Sequence, residues 1–108
     1  MEQTEFLKKN VFKDLKNLND GFDKVNTHYF SESDFEDVLQ QVQFLGIGLY
    51  EIKTWHNGEF YGVMEHEDFK KKATDAKWYS KAFLTFKMRQ EGLAYSAIYK
   101  VSKKLLAR

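Results

Sequence analysis

A chain of 108 residues with 17 Lys and Arg against 16 Asp and Glu, 17% aromatic residues, no cysteine and no proline has the composition of one folded domain, residues 1–108; disordered chains are poor in aromatics and linker-like ones are rich in proline. Without cysteine it forms no disulfide, offers no thiol nucleophile and builds no Cys-ligated zinc or iron–sulfur site. The near-neutral total hides a polarity: residues 1–68 hold 14 acids and 6 bases, net −8, whereas residues 69–108 hold 11 bases and 2 acids, net +9.

In chain order, Leu7, Val11, Leu15, Leu18 and Phe22 recur at spacings of 4, 4, 3 and 4 and predict a first helix that Asn19-Asp20-Gly21 ends. After a polar connection, Ser33-Asp34-Phe35-Glu36 has the form of a capping box, with Ser31 as an alternative cap. Glu32, Asp34, Glu36 and Asp37 sit where the free N–H groups of a helix start stabilise negative charge. Phe35, Val38, Leu39, Val42 and Leu45 mark the buried face of this second helix, and Gly46 its C-terminal cap.

Residues 47–55 and 60–66 flank Asn57-Gly58, the pair a type I′ hairpin turn prefers because both central residues need positive φ. That turn pairs His56 with Glu59, Trp55 with Phe60, Thr54 with Tyr61, Lys53 with Gly62, Ile52 with Val63 and Tyr50 with Glu65. One face then carries Tyr50, Ile52, Thr54, Tyr61 and Val63 and is expected to pack on the helices; the other carries Leu49, Glu51, Lys53, Trp55, Phe60, Gly62, Met64 and His66. Beyond the basic run Lys70-Lys71-Lys72, Thr74 or Asp75 caps a third helix to about Glu91, with Trp78, Ala82, Phe83 and Phe86 inward and Gly92 as its stop. Residues 93–101 alternate as a third strand, and the basic tail from Ser102 forms a short helical turn. The order α-α-β-β-α-β predicts an α+β domain, a three-stranded antiparallel sheet with helices packed on one face.

No constellation for chemistry is complete. His56 beside Glu59, and His66 within Glu65-His66-Glu67-Asp68, invite a metal reading, but Glu65 and His66 point to opposite faces of a regular strand. The serines at 31, 33, 80, 96 and 102 show no nucleophile elbow, and Gly46-Ile47-Gly48 lacks the third glycine of a dinucleotide fingerprint and precedes a strand instead of following one. The expectation is that the chain needs no cofactor and no metal and is not an enzyme, although a small-ligand binder or an enzyme without a recognisable motif stays open.

With helices on one side of the sheet only, Leu49, Trp55, Phe60 and Met64 face outward unless the N-terminal helix or the C-terminal tail covers them. Clustered exposed aromatic and Met side chains mark interfaces, and a symmetric homodimer buries such a patch twice. The expected function is therefore a small binding domain, self-associating through this aromatic hairpin face, with a protein partner as a further possibility. The alternative is a nucleic-acid-binding protein that uses the basic C-terminal part, with Lys70, Lys71, Lys72, Arg89, Lys103 and Lys104 on phosphates and Trp78, Tyr79, Tyr95 and Tyr99 interleaved. The opening Met1-Glu2-Gln3-Thr4-Glu5 is acidic where a secretory signal is basic, and no apolar run reaches the ~20 residues of a bilayer span. A cytoplasmic location without membrane contact is expected.

The stretches His28-Tyr29-Phe30-Ser31, Leu45-Gly46-Ile47-Gly48-Leu49-Tyr50 and Asn57-Gly58-Glu59-Phe60-Tyr61 resemble a group of small bacterial proteins of unassigned function, over residues 28 to about 101. The resemblance implies a bacterial, intracellular protein and carries no catalytic or cofactor motif.

Overall fold

The computed structural model describes residues 2–107 and runs α1 (Gln3–Asn10), α2 (Glu32–Leu45), β1 (Gly48–His56), β2 (Glu59–Glu65), α3 (Ala76–Arg89), β3 (Ala94–Lys100) and α4 (Lys103–Leu106), with a 3-10 turn at His66–Phe69. β1 is the centre of an antiparallel sheet in the order β2-β1-β3, so the fold is α+β with the order α-α-β-β-α-β, closed by α4. An isolated bridge from Phe30 to Tyr95 extends the pairing beyond β3.

Local chemistry sets most boundaries. Ser31, not Ser33, caps α2, its Oγ accepting from the Asp34 N–H at 3.3 Å, and Gly46 ends the helix in the left-handed region with φ 72°. Asp75 caps α3, accepting from the Lys77 N–H at 2.9 Å, and α3 stops at Arg89, ahead of Gly92. Asn57 and Gly58 take φ 52° and 81°, the two positive values of a type I′ turn.

The first helix departs from its expected span. It ends at Asn10, and Asp14 turns the chain at φ 65°. Leu15 still packs on the core, so the apolar spacing marks burial without marking a helix. Two asparagines explain the rest, because their side chains offer the backbone an alternative to helical hydrogen bonds. Asn17 Oδ1 accepts from the N–H groups of Asn19 and Tyr29, both at 3.0 Å. Asn19 Oδ1 accepts from Gly21 and Asp23, and its amide donates to the carbonyls of Asp23, Lys24 and Thr27 at 3.3, 2.9 and 2.8 Å. Residues 17–29 thus form a strap that side chains hold in shape.

The hairpin keeps its expected tip, His56 opposite Glu59 and Trp55 opposite Phe60, and then slips by one residue. Thr54 pairs with Gly62, Lys53 with Val63, Ile52 with Met64 and Glu51 with Glu65, leaving Tyr61 as the extra residue of a bulge. A second irregularity at Tyr50, against β3, resets the other end of β1. A one-residue slip exchanges faces, so the expected division of the hairpin is corrected. Leu49, Ile52 and Thr54 are fully buried and Met64 packs against the core, whereas Tyr50, Tyr61 and Val63 are exposed. Gly62 lies on the inner face where a Cβ would sit 3.3 Å from the Phe86 ring, a place only a residue without a side chain fills easily.

The core lies between the sheet and the layer of α2 and α3. Tyr95 is its hub, stacked on Phe35 at 5.2 Å and meeting Phe83 and Phe86 edge-on at 5.0 and 6.4 Å. α2 starts beside Tyr95 and ends where β1 begins; α3 starts beside Leu49, whose N–H donates to the Ala73 carbonyl at 2.9 Å, and ends beside His56. The two helices therefore run antiparallel, with the start of α2 next to the second half of α3, where Phe35 meets Phe83 at 5.7 Å.

Candidate functional site

On the outer face of the sheet the strap covers what the sequence left open. Phe22 and Tyr29 close over Trp55 at ring distances of 5.0 and 6.3 Å, and Phe60 meets Trp55 from β2 at 6.4 Å. Asp23 anchors the strap: its carboxylate accepts from the Tyr29 hydroxyl at 2.6 Å, the Lys53 ammonium at 3.2 Å and the Lys24 N–H at 2.8 Å. Burial alone would raise the Asp23 pKa, but these three donors outweigh it and hold the carboxyl below its usual value. Burial first, and then the hydrogen bond to Asp23, push the Tyr29 phenol well above the usual tyrosine range. The Trp55 indole N–H is buried without a hydrogen-bond partner.

Of the four side chains expected on an outward hairpin face, Leu49 and Met64 point into the core, Trp55 is partly buried under the strap, and Phe60 is exposed. Of the expected covers, the N-terminal segment supplies Phe22, but from the strap and not from a helix; the signal for the strap, four Asn and Asp between residues 17 and 23, stood in the sequence as a turn.

The basic side chains divide. Gly48 pairs with Lys100 and packs against Ala73, so Lys70, Lys71, Lys72, Lys100, Lys103 and Lys104 lie toward one end of the sheet. Arg89 ends α3 beside Gln90, whose amide donates to His56 Nε2 at 3.2 Å at the other end. A 14-residue helix spans about 20 Å at ~1.5 Å per residue, so Arg89 does not join the lysines. Trp78, Tyr79, Tyr95 and Tyr99, the rings expected to interleave with the lysines, are buried in the core.

Each histidine has a structural partner. His66 donates from Nδ1 to the Lys71 carbonyl at 2.7 Å, and His28 stacks on Phe12 at 5.0 Å. Among the described residues no group of three or more His, Asp or Glu is placed to hold a metal ion, and no helix is long and apolar enough to cross a membrane.

Exposed apolar side chains lie on the strands, at Tyr50, Phe60, Tyr61, Val63 and Ile98, and also on the helix layer, which sequence reasoning passed over. A groove of about 360 Å³ runs between α2 and α3, floored by Leu39 and Phe83 and walled by Gln40, Gln43, Leu84 and Lys87. Leu84 is 53% exposed, and Phe44 and Met88, further along the same layer, are 81% and 80% exposed. The signal was present as apolar residues at positions that the helical period assigns to the side away from the core. No family model, curated protein or solved structure matches the chain at a significant level.

Proposed function

We propose that this chain is a binding domain that acts by self-association, with apolar side chains on its surface as the contact. What supports this reading is the helix layer, where Leu84 stands exposed on an apolar-floored groove and Phe44 and Met88 are exposed near the ends of α2 and α3. Exposed large apolar side chains gathered on one face mark interaction surfaces, and a two-fold pair buries one such face twice. On the hairpin side, Phe60 and Val63 are also exposed, at 55% and 44%, beside the strap.

Molar mass by light scattering over a concentration series tests the reading directly. A dimer is expected, and Leu84→Glu is expected to weaken it at least about tenfold, since it replaces an apolar contact with a charge that must give up its water on burial. A monomer at every concentration overturns self-association. A dimer that Phe60→Glu dissociates, and Leu84→Glu does not, moves the interface to the hairpin.

A further inference from the structure

The helix layer separates its charges by helix. α2 carries Glu32, Asp34, Glu36 and Asp37 and no base; α3 carries Lys77, Lys81, Lys87 and Arg89 and no acid. Among the described residues none of these eight groups joins an ion pair, and Lys87 lies over the Phe83 ring at 5.1 Å instead. All four acids fall in the first two turns of α2, at the end of the layer where α3 places Lys87 and Arg89.

We infer that this face binds a second copy of the chain with α2 of each subunit lying along α3 of the other, about a two-fold axis parallel to the helices. Two ways of laying the layer on its own copy differ in charge. An axis across the helices sets α2 reversed on α2 and α3 reversed on α3, so the acidic start of α2 faces the uncharged second half of its copy and the bases at the two ends of α3 face bases. An axis along them sets acidic α2 on basic α3 twice and leaves every residue at its own height along the layer. Glu36 then meets Lys87 of the second copy, both lining the groove. Because α2 and α3 are antiparallel within one chain, the facing helices are antiparallel as well, which opposes their dipoles favourably. Leu84, over the groove floored by Leu39 and Phe83, supplies the central apolar contact, and the charge pattern supplies the orientation.

This arrangement rests on the self-association reading, and its test separates the two. The chain has no cysteine, so single cysteines can be introduced without background. Gln40→Cys chains are mixed with Leu84→Cys chains and oxidised. Disulfide-linked pairs are expected from the mixture and not from either variant alone, because Gln40 on α2 and Leu84 on α3 wall the same stretch of groove, so an axis along the helices lays each over the other in the second copy, while no single chain carries both cysteines. The dissociation constant of the unmodified dimer is expected to rise at least about tenfold between low and high salt, as screening removes the charge pairing. Linking within each variant alone, together with a dimer that tightens in salt, overturns the arrangement and leaves self-association standing. A dimer indifferent to salt that links in neither case also overturns it. A chain that stays monomeric at every concentration overturns both.

Discussion

Three buried polar atoms have no hydrogen-bond partner among the described residues: Trp55 Nε1, Tyr95 OH and Tyr99 OH. A buried donor left unsatisfied loses its bond to water and gains nothing in return, at a cost of about 1–3 kcal/mol. Burial accordingly pushes the Tyr95 and Tyr99 phenols far above the ordinary value, since a phenolate there would be poorly solvated. Tyr95→Phe keeps the ring that stacks on Phe35 and removes only the hydroxyl. It is expected to stabilise the fold by about 1 kcal/mol, read from the urea midpoint at unchanged slope. A loss of stability would mean that the hydroxyl has a partner in solution.

At the scale of elements, the strap shows how side chains can overrule periodicity. Asn19 alone holds five backbone groups between Gly21 and Thr27, and through Asp23 the strap is tied to β1 at Lys53. Asn19→Ala removes all five bonds at once. It is expected to cost about 2–3 kcal/mol, more than a single bond because several backbone groups lose their partner together. The expected companion is a red shift of tryptophan emission as Phe22 and Tyr29 lift from Trp55. The apolar stripe from Leu7 to Phe22 was legible in the sequence; its conformation was not, because five local hydrogen bonds to one amide outweigh the weak helical preference of a short segment. The hairpin is the converse case. Asn57-Gly58 fixed the tip pairs, yet the bulge at Tyr61 carries no local signature beyond Gly62, whose need to clear Phe86 comes from a helix some twenty residues on.

For the whole molecule, pH acts through two groups with opposite charge and the same sign of effect. Burial, chiefly, depresses the His28 pKa below its ordinary 6.5, so the folded chain holds it neutral; the unfolded chain protonates first, and stability falls as pH drops through 6.5. Asp23 is also depressed, below 3.8, so its contribution is present above that value and is lost as pH falls through it. Urea midpoints measured across pH are expected to decline in two stages. His28→Gln is expected to flatten the upper stage and Asp23→Asn the lower one, the latter also lowering stability at neutral pH by releasing the strap from Lys53. A profile that His28→Gln leaves unchanged would assign the upper stage to another group.

The amino-acid sequence by itself determined the elements whose signals are local: the apolar face and C-terminal glycine of α2, the type I′ turn, the inward stripe of α3, the alternation of β3, and through their order the α+β class. It also held the segregation of charge, which follows from the order of residues along the chain. Only the tertiary structure decided which faces stay open. Whether Trp55 is covered depends on a strap thirty residues earlier in the chain, and whether Leu49 and Met64 point inward depends on two irregularities in strand pairing. These are long-range contacts, and a one-residue change in pairing reverses a face without altering any local preference. For the same reason only the antiparallel packing of α2 and α3 placed the acids of α2 beside the bases at the end of α3.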